Sequence, residues 1–175
     1  MSRLSLELIP SKPLLLSDQA LKTLSKTFKK QGATILEKSS DKTLRLNINF
    51  LGRKNLLRHE IDEAKQRIEK LRESSEPVNE SIIRTLKTLL KALRAEANAL
   101  SSNFFLGIAE NQVTIEANIR RLSELSFFYF QIQLRTIIAY ISEAYAEMGC
   151  IITFTEKHGG LLEKLSNLKN ENKYY

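Results

Sequence analysis

Three sets of residues in this 175-residue chain have types and spacings that could do chemistry. Cys150, Glu156 and His158 fall within nine residues, and a Cys/His pair oriented by a carboxylate can generate a nucleophile. The strand parity of Cys150, shared with Ile152 and Phe154, points the thiol into a core where it would be inert. His158-Gly159-Gly160 has the look of an oxyanion loop, but no Gly-x-Ser-x-Gly elbow accompanies it. The chain also lacks Gly-x-x-x-x-Gly-Lys, Gly-x-Gly-x-x-Gly and His-Glu-x-x-His. One Cys and two distant His cannot build a structural zinc site. The expectation is a protein without catalytic residues, metal or cofactor.

The second set is basic. Lys22, Lys26, Lys29 and Lys30 step by three and four along one helical face, and Arg45, Arg53 and Lys54 follow in sequence. Residues 1–60 carry the whole formal charge of +7, because the remaining residues balance. Clustered cations gain free energy by releasing counterions from a phosphate backbone, so this third is a candidate nucleic-acid surface. Phe28, the one aromatic residue among these lysines, is needed for the core and not free to stack bases, and a solvated polar face explains the same pattern. Arg84, Lys87, Lys91 and Arg94 form another stripe, for which ion pairs to Asp62, Glu63, Glu69 and Glu73 are a sufficient reason. The pairs Arg58–Asp62 and Glu63–Arg67 are expected within their own helix.

The third set is the run Phe127-Phe128-Tyr129-Phe130. Four consecutive aromatics on a helix point to all sides, so at least one ring should leave the core unless both flanks are covered. An exposed ring of that size favours a protein partner, and identical chains commonly close as a two-fold dimer.

The elements that must position these residues follow from periodicity. Leu4, Leu6 and Leu8 alternate as in a short strand, and a helix over 17–31 ends at Gly32. Residues 33–38 and 43–51 read as a hairpin with one wet face. Apolar residues at 4-3-4-3 spacing predict helices over 54–74 and 78–100, joined by a short link into an antiparallel hairpin. Strands over 103–109 and 112–119 precede a long apolar helix over 122–148, then a strand over 150–155 and a helix over 161–168. The polar residues 169–175 should fray.

These elements make one α+β domain over residues 1–168, a small mostly antiparallel sheet packed on the long helix 122–148 with the hairpin 54–100 beside it. The polar residues inside helix 122–148 exclude a lipid-facing span, and the single Cys suits a reducing, cytoplasmic setting. The stretch from Ser101-Ser-Asn-Phe-Phe-Leu-Gly to Val113-Thr-Ile-Glu-Ala-Asn-Ile119, with the apolar helix after it, resembles YbjN-like and type III secretion chaperone-like domains. The resemblance covers roughly residues 100–148. It implies a small α+β unit that dimerises and binds proteins, although the hairpin 54–100 is longer, and this chain is basic where those secretion chaperones are often acidic. The leading expectation is a dimeric, non-catalytic adaptor or chaperone-like protein that binds its partner through Phe127, Phe128, Tyr129 and Phe130. The alternative is a nucleic-acid accessory protein using Lys22, Lys26, Lys29, Lys30, Arg45, Arg53 and Lys54.

Overall fold

Six extended segments and four segments of 3.6-residue periodicity form ten elements in the computed structural model, which describes residues 2–35, 43–74, 76–100, 103–119 and 123–157. In chain order they are β1 (Ser2–Pro10), α1 (Asp18–Lys30), β2 (Thr34–Ile35), β3 (Thr43–Asn49), α2 (Leu51–Glu73), α3 (Val78–Leu100), β4 (Asn103–Ala109), β5 (Gln112–Ile119), α4 (Glu124–Glu147) and β6 (Phe154–Glu156). The fold is α+β. One six-stranded sheet has the order β2-β3-β4-β5-β1-β6, with every neighbouring pair antiparallel.

Register explains why the sheet has two unlike faces. Leu46 pairs with Leu106, Leu106 with Ile115, and Ile115 with Leu6, so one row across four strands is wholly aliphatic and buried. One residue along, Asn47, Phe105, Glu116 and Ser5 line up on the opposite face. The apolar face is roofed by α1 and α4, whose Leu24, Phe28, Phe130, Leu134, Ile137 and Ile141 are fully buried against it. Phe130 stacks on Phe104 of β4 with centroids 5.6 Å apart, and Phe50 meets Phe104 edge-on at 5.8 Å.

The long helical hairpin is held in two ways. Its base joins the main core through Leu57, Leu93, Ala99 and Leu100. Its outer half has a separate small cluster of Ala64, Ile68, Leu86 and Leu90. At the tip, buried Asn79 donates its side-chain amide to the carbonyls of Leu71 (3.2 Å) and Ser74 (3.3 Å), which closes the otherwise open end of α2.

Several boundaries differ from the sequence expectation. The leucine alternation at the N-terminus becomes a nine-residue strand between β5 and β6, because it presents Leu4, Leu6 and Leu8 to the same apolar face. The last strand is only Phe154–Glu156, and Cys150 precedes it, half-buried, with its N–H donated to Tyr145 O at 2.9 Å. α2 begins at Leu51 rather than 54. Gly52 allows this: a Cβ there would lie 3.3 Å from the Cα and O of Gly32, so the start of α2 touches the end of α1 backbone to backbone. Gly32 itself turns the chain at φ +80°. The expected turn over 39–42, the helix over 161–168, the tail 169–175 and His158 lie outside the described residues.

Tyr145 ties α4 to the segment before α1 by donating its hydroxyl to Leu15 O at 3.2 Å. Burial, helped by Cys150, pushes this phenol up to about 12. An unfolded tyrosine ionises near ~10, so the contribution of Tyr145 is intact below that pH and is lost as pH rises towards the folded value. Tyr145→Phe should therefore flatten the fall in urea-unfolding stability between pH ~10 and ~12. An unaltered slope would show that the hydroxyl ionises in the fold as freely as in water.

Candidate functional site

A helix advances 100° per residue, so the aromatic run is divided by what covers each side of α4. Phe130 is fully buried on Phe104, and Phe127 is buried at 8% exposure. These two belong to the core and do not form part of an outer surface, a correction to the expectation that all four rings meet a partner. Tyr129 is half-buried and Phe128 is 56% exposed, the two rings touching edge to face at 5.6 Å. One turn on, Ile132 is 42% exposed, so α4 carries an apolar ridge facing solvent.

Beside this ridge the ends of α1, α2 and α3 converge on α4 and leave a pocket of about 190 Å³. Its walls come from Phe50, Leu100, Tyr129, Ile132 and Tyr140, and its polar groups from Gln31, Arg53, Glu96, Gln133 and Thr136. Arg53 and Glu96, 43 residues apart, form a two-point ion pair: Nε to Oε2 at 2.5 Å and Nη2 to Oε1 at 2.9 Å. Hydrogen bonding to Glu96 raises the Arg53 guanidinium above its ordinary range against the opposing effect of burial. Burial, with Glu143 nearby, raises the Tyr140 hydroxyl.

Gln133 is the unusual member. It is 8% exposed, lines the pocket, and neither its Oε1 nor its Nε2 finds a hydrogen-bond partner among the described residues. A buried carboxamide left unmade costs roughly 1–3 kcal/mol, and such an exception asks for a reason. In the sequence Gln133 counted only as one of the polar residues that exclude a membrane span.

The basic set is dispersed by the fold. Lys22, Lys26, Lys29 and Lys30 are all exposed on α1, as the stripe required. Arg45 alternates to the open face of the sheet, away from the helix layer, where it lines a shallow groove of about 660 Å³ with Thr43, Asn47, Phe105, Gly107, Thr114 and Glu116. Arg53 is committed to Glu96, and Lys54 is half-buried. The seven residues do not share one surface, because β-strand alternation and an ion pair invisible in sequence remove two of them. Within α2 the pair formed is His59–Glu63 at 3.1 Å, in place of the expected Arg58–Asp62 and Glu63–Arg67. Among the described residues no group of three or more His, Cys, Asp or Glu could hold a metal ion, and no helix is long and apolar enough to cross a membrane.

Glu96→Gln should keep the shape of the pocket wall but strip the charge from its pair with Arg53, at a cost of about 1 kcal/mol in urea unfolding for a half-exposed two-point bridge. A loss no larger than that of Glu63→Gln, whose partner His59 is exposed, would mean that the bridge does not brace the wall. No protein-family model matches this chain, and no curated protein or solved structure matches it significantly.

Proposed function

We propose that this chain is a non-catalytic protein-binding module of the adaptor or chaperone-like kind, acting in the cytoplasm, whose docking site is the Phe128–Ile132 ridge of α4 and the pocket beside it. The observation that carries this reading is Gln133, a buried carboxamide whose donor and acceptor both lack a partner among the described residues while lining that pocket. One peptide group or one Asn or Gln side chain offers the complementary acceptor and donor. The pocket volume of about 190 Å³ is below the ~300–1,000 Å³ of sites that enclose free small molecules, and suits a side chain inserted from a protein surface.

The surroundings have the anatomy of a docking site. Exposed Phe128 and Ile132 supply apolar anchors, and Tyr129 with the Arg53–Glu96 bridge supplies a polar wall. The groups presented are suited to recognition: a carboxamide, phenols and a guanidinium already neutralised by its neighbour. The likeness of residues 100–148 to chaperone-like domains that dimerise points the same way. A second copy of the chain is the simplest partner, since a ridge on identical molecules can close on itself about a two-fold axis.

Light scattering on the purified protein should then give twice the 20.1 kDa chain mass, and Phe128→Asp should shift it to the single-chain mass with unchanged circular dichroism. Gln133→Leu separates function from structure. It removes an unmade hydrogen-bonding group from an apolar setting, so it should raise stability by about 1–2 kcal/mol while weakening self-association. A wild-type protein that stays at single-chain mass at all concentrations, or a Gln133→Leu variant that is less stable yet associates normally, would contradict the reading.

A further inference from the structure

The cations of the helical hairpin do not do what their sequence positions suggest. Lys87, Lys91 and Arg94 of α3 face Lys65 and Arg72 of α2 across one groove of about 470 Å³, with Glu69 its single carboxylate among the described residues. All five cations are exposed, and among the described residues none has a carboxylate within ion-pair distance. The expected bridges from the α3 stripe to Asp62, Glu63, Glu69 and Glu73 are not formed. The groove therefore concentrates a net charge of four, and like charges held this close favour an anionic partner over water.

We propose that this groove binds the phosphate backbone of duplex nucleic acid, independently of base sequence. Lys87 to Arg94, and equally Lys65 to Arg72, span seven residues, or about 10 Å of helix axis. A duplex presents one phosphate per ~1.7 Å of its axis, so a stretch of that length carries about six, enough for four net positive charges to engage. Among the described residues no aromatic side chain lines the groove. That argues against a single strand, which needs stacking platforms. The apolar floor, Ile68 and Leu90, is buried at 6% and 8% exposure and is not offered to lipid chains as a membrane-lying helix would offer it. The site is separate from the α4 pocket and from the α1 lysines, so it stands or falls independently of the protein-binding reading.

The test is fluorescence anisotropy of a labelled 20-base-pair duplex with the full chain at ~50 and ~200 mM salt. Four phosphate contacts predict a loss of affinity of roughly a hundredfold between those salts. Lys87→Glu with Lys91→Glu should weaken binding at least tenfold and flatten the salt dependence, and Lys65→Gln with Arg72→Gln on the facing helix should weaken it too. Lys22→Glu with Lys26→Glu on α1 should change it by less than about threefold, a bound that follows from their lying outside the groove. Circular dichroism of each variant checks its fold. Absence of duplex binding at the lower salt overturns the proposal. So does a loss from the α1 variant as large as that from the hairpin variants, or a preference for phosphatidylserine vesicles or polyglutamate over the duplex.

Discussion

The contact on which the rest of the structure depends is the one around Phe104. Its ring lies in the middle of the sheet's apolar face, stacked under Phe130 of α4 and met edge-on by Phe50 at the junction of β3 and α2. A six-stranded sheet with one aliphatic face must be roofed, and α4 is the longest apolar element the chain can place there. Once Phe130 is seated, the helix's rotation is set. Leu134, Ile137 and Ile141 go down to the sheet, Tyr129 and Gln133 go to one flank, and Phe128 and Ile132 are left facing solvent.

The pocket is a consequence of that geometry. Phe50 draws the start of α2 to the sheet, and the close approach of Gly52 to Gly32 brings in the end of α1. Ala99 and Leu100 bury the end of α3 in the same core. Four helix ends and flanks cannot close perfectly around one point, and the gap that remains is lined by Gln31, Arg53, Glu96, Gln133 and Thr136 among its polar groups. Arg53 and Glu96 satisfy each other across it. Gln133 finds no such partner among the described residues, so its carboxamide keeps an open donor and acceptor in the pocket.

Much of the scaffold was legible in the sequence because periodicity reports burial directly. The hairpin helices, the strands Asn103–Ala109 and Gln112–Ile119, and the stop at Gly32 all follow from local pattern, and Gly32 has a positive φ. The position of β1 was not legible: alternation at Leu4, Leu6 and Leu8 says that a strand exists, not that it pairs with β5 across more than a hundred residues. The site was less legible still. The exposure of one ring in the aromatic run could be argued from helical geometry, but which ring depends on where Phe104 sits. The Arg53–Glu96 bridge joins residues 43 positions apart, and Gln133 carries no sequence mark of being unpaired. Charge stripes misled for a related reason. Spacing along one helix does not reveal that Lys87, Lys91 and Arg94 share a groove with two more cations of α2 and, among the described residues, one carboxylate.

On the proposed function, the Gln133 carboxamide acquires its hydrogen bonds from a protein docked on α4. The most direct measurement follows the side-chain NH2 resonances of Gln133, assigned by their loss in Gln133→Leu, through a dilution series of the wild-type protein. Docking on α4 predicts that these protons move downfield and exchange more slowly as association proceeds, in step with the mass from light scattering. Resonances that stay fixed while the mass changes would place the interface elsewhere and leave Gln133 a feature of the core.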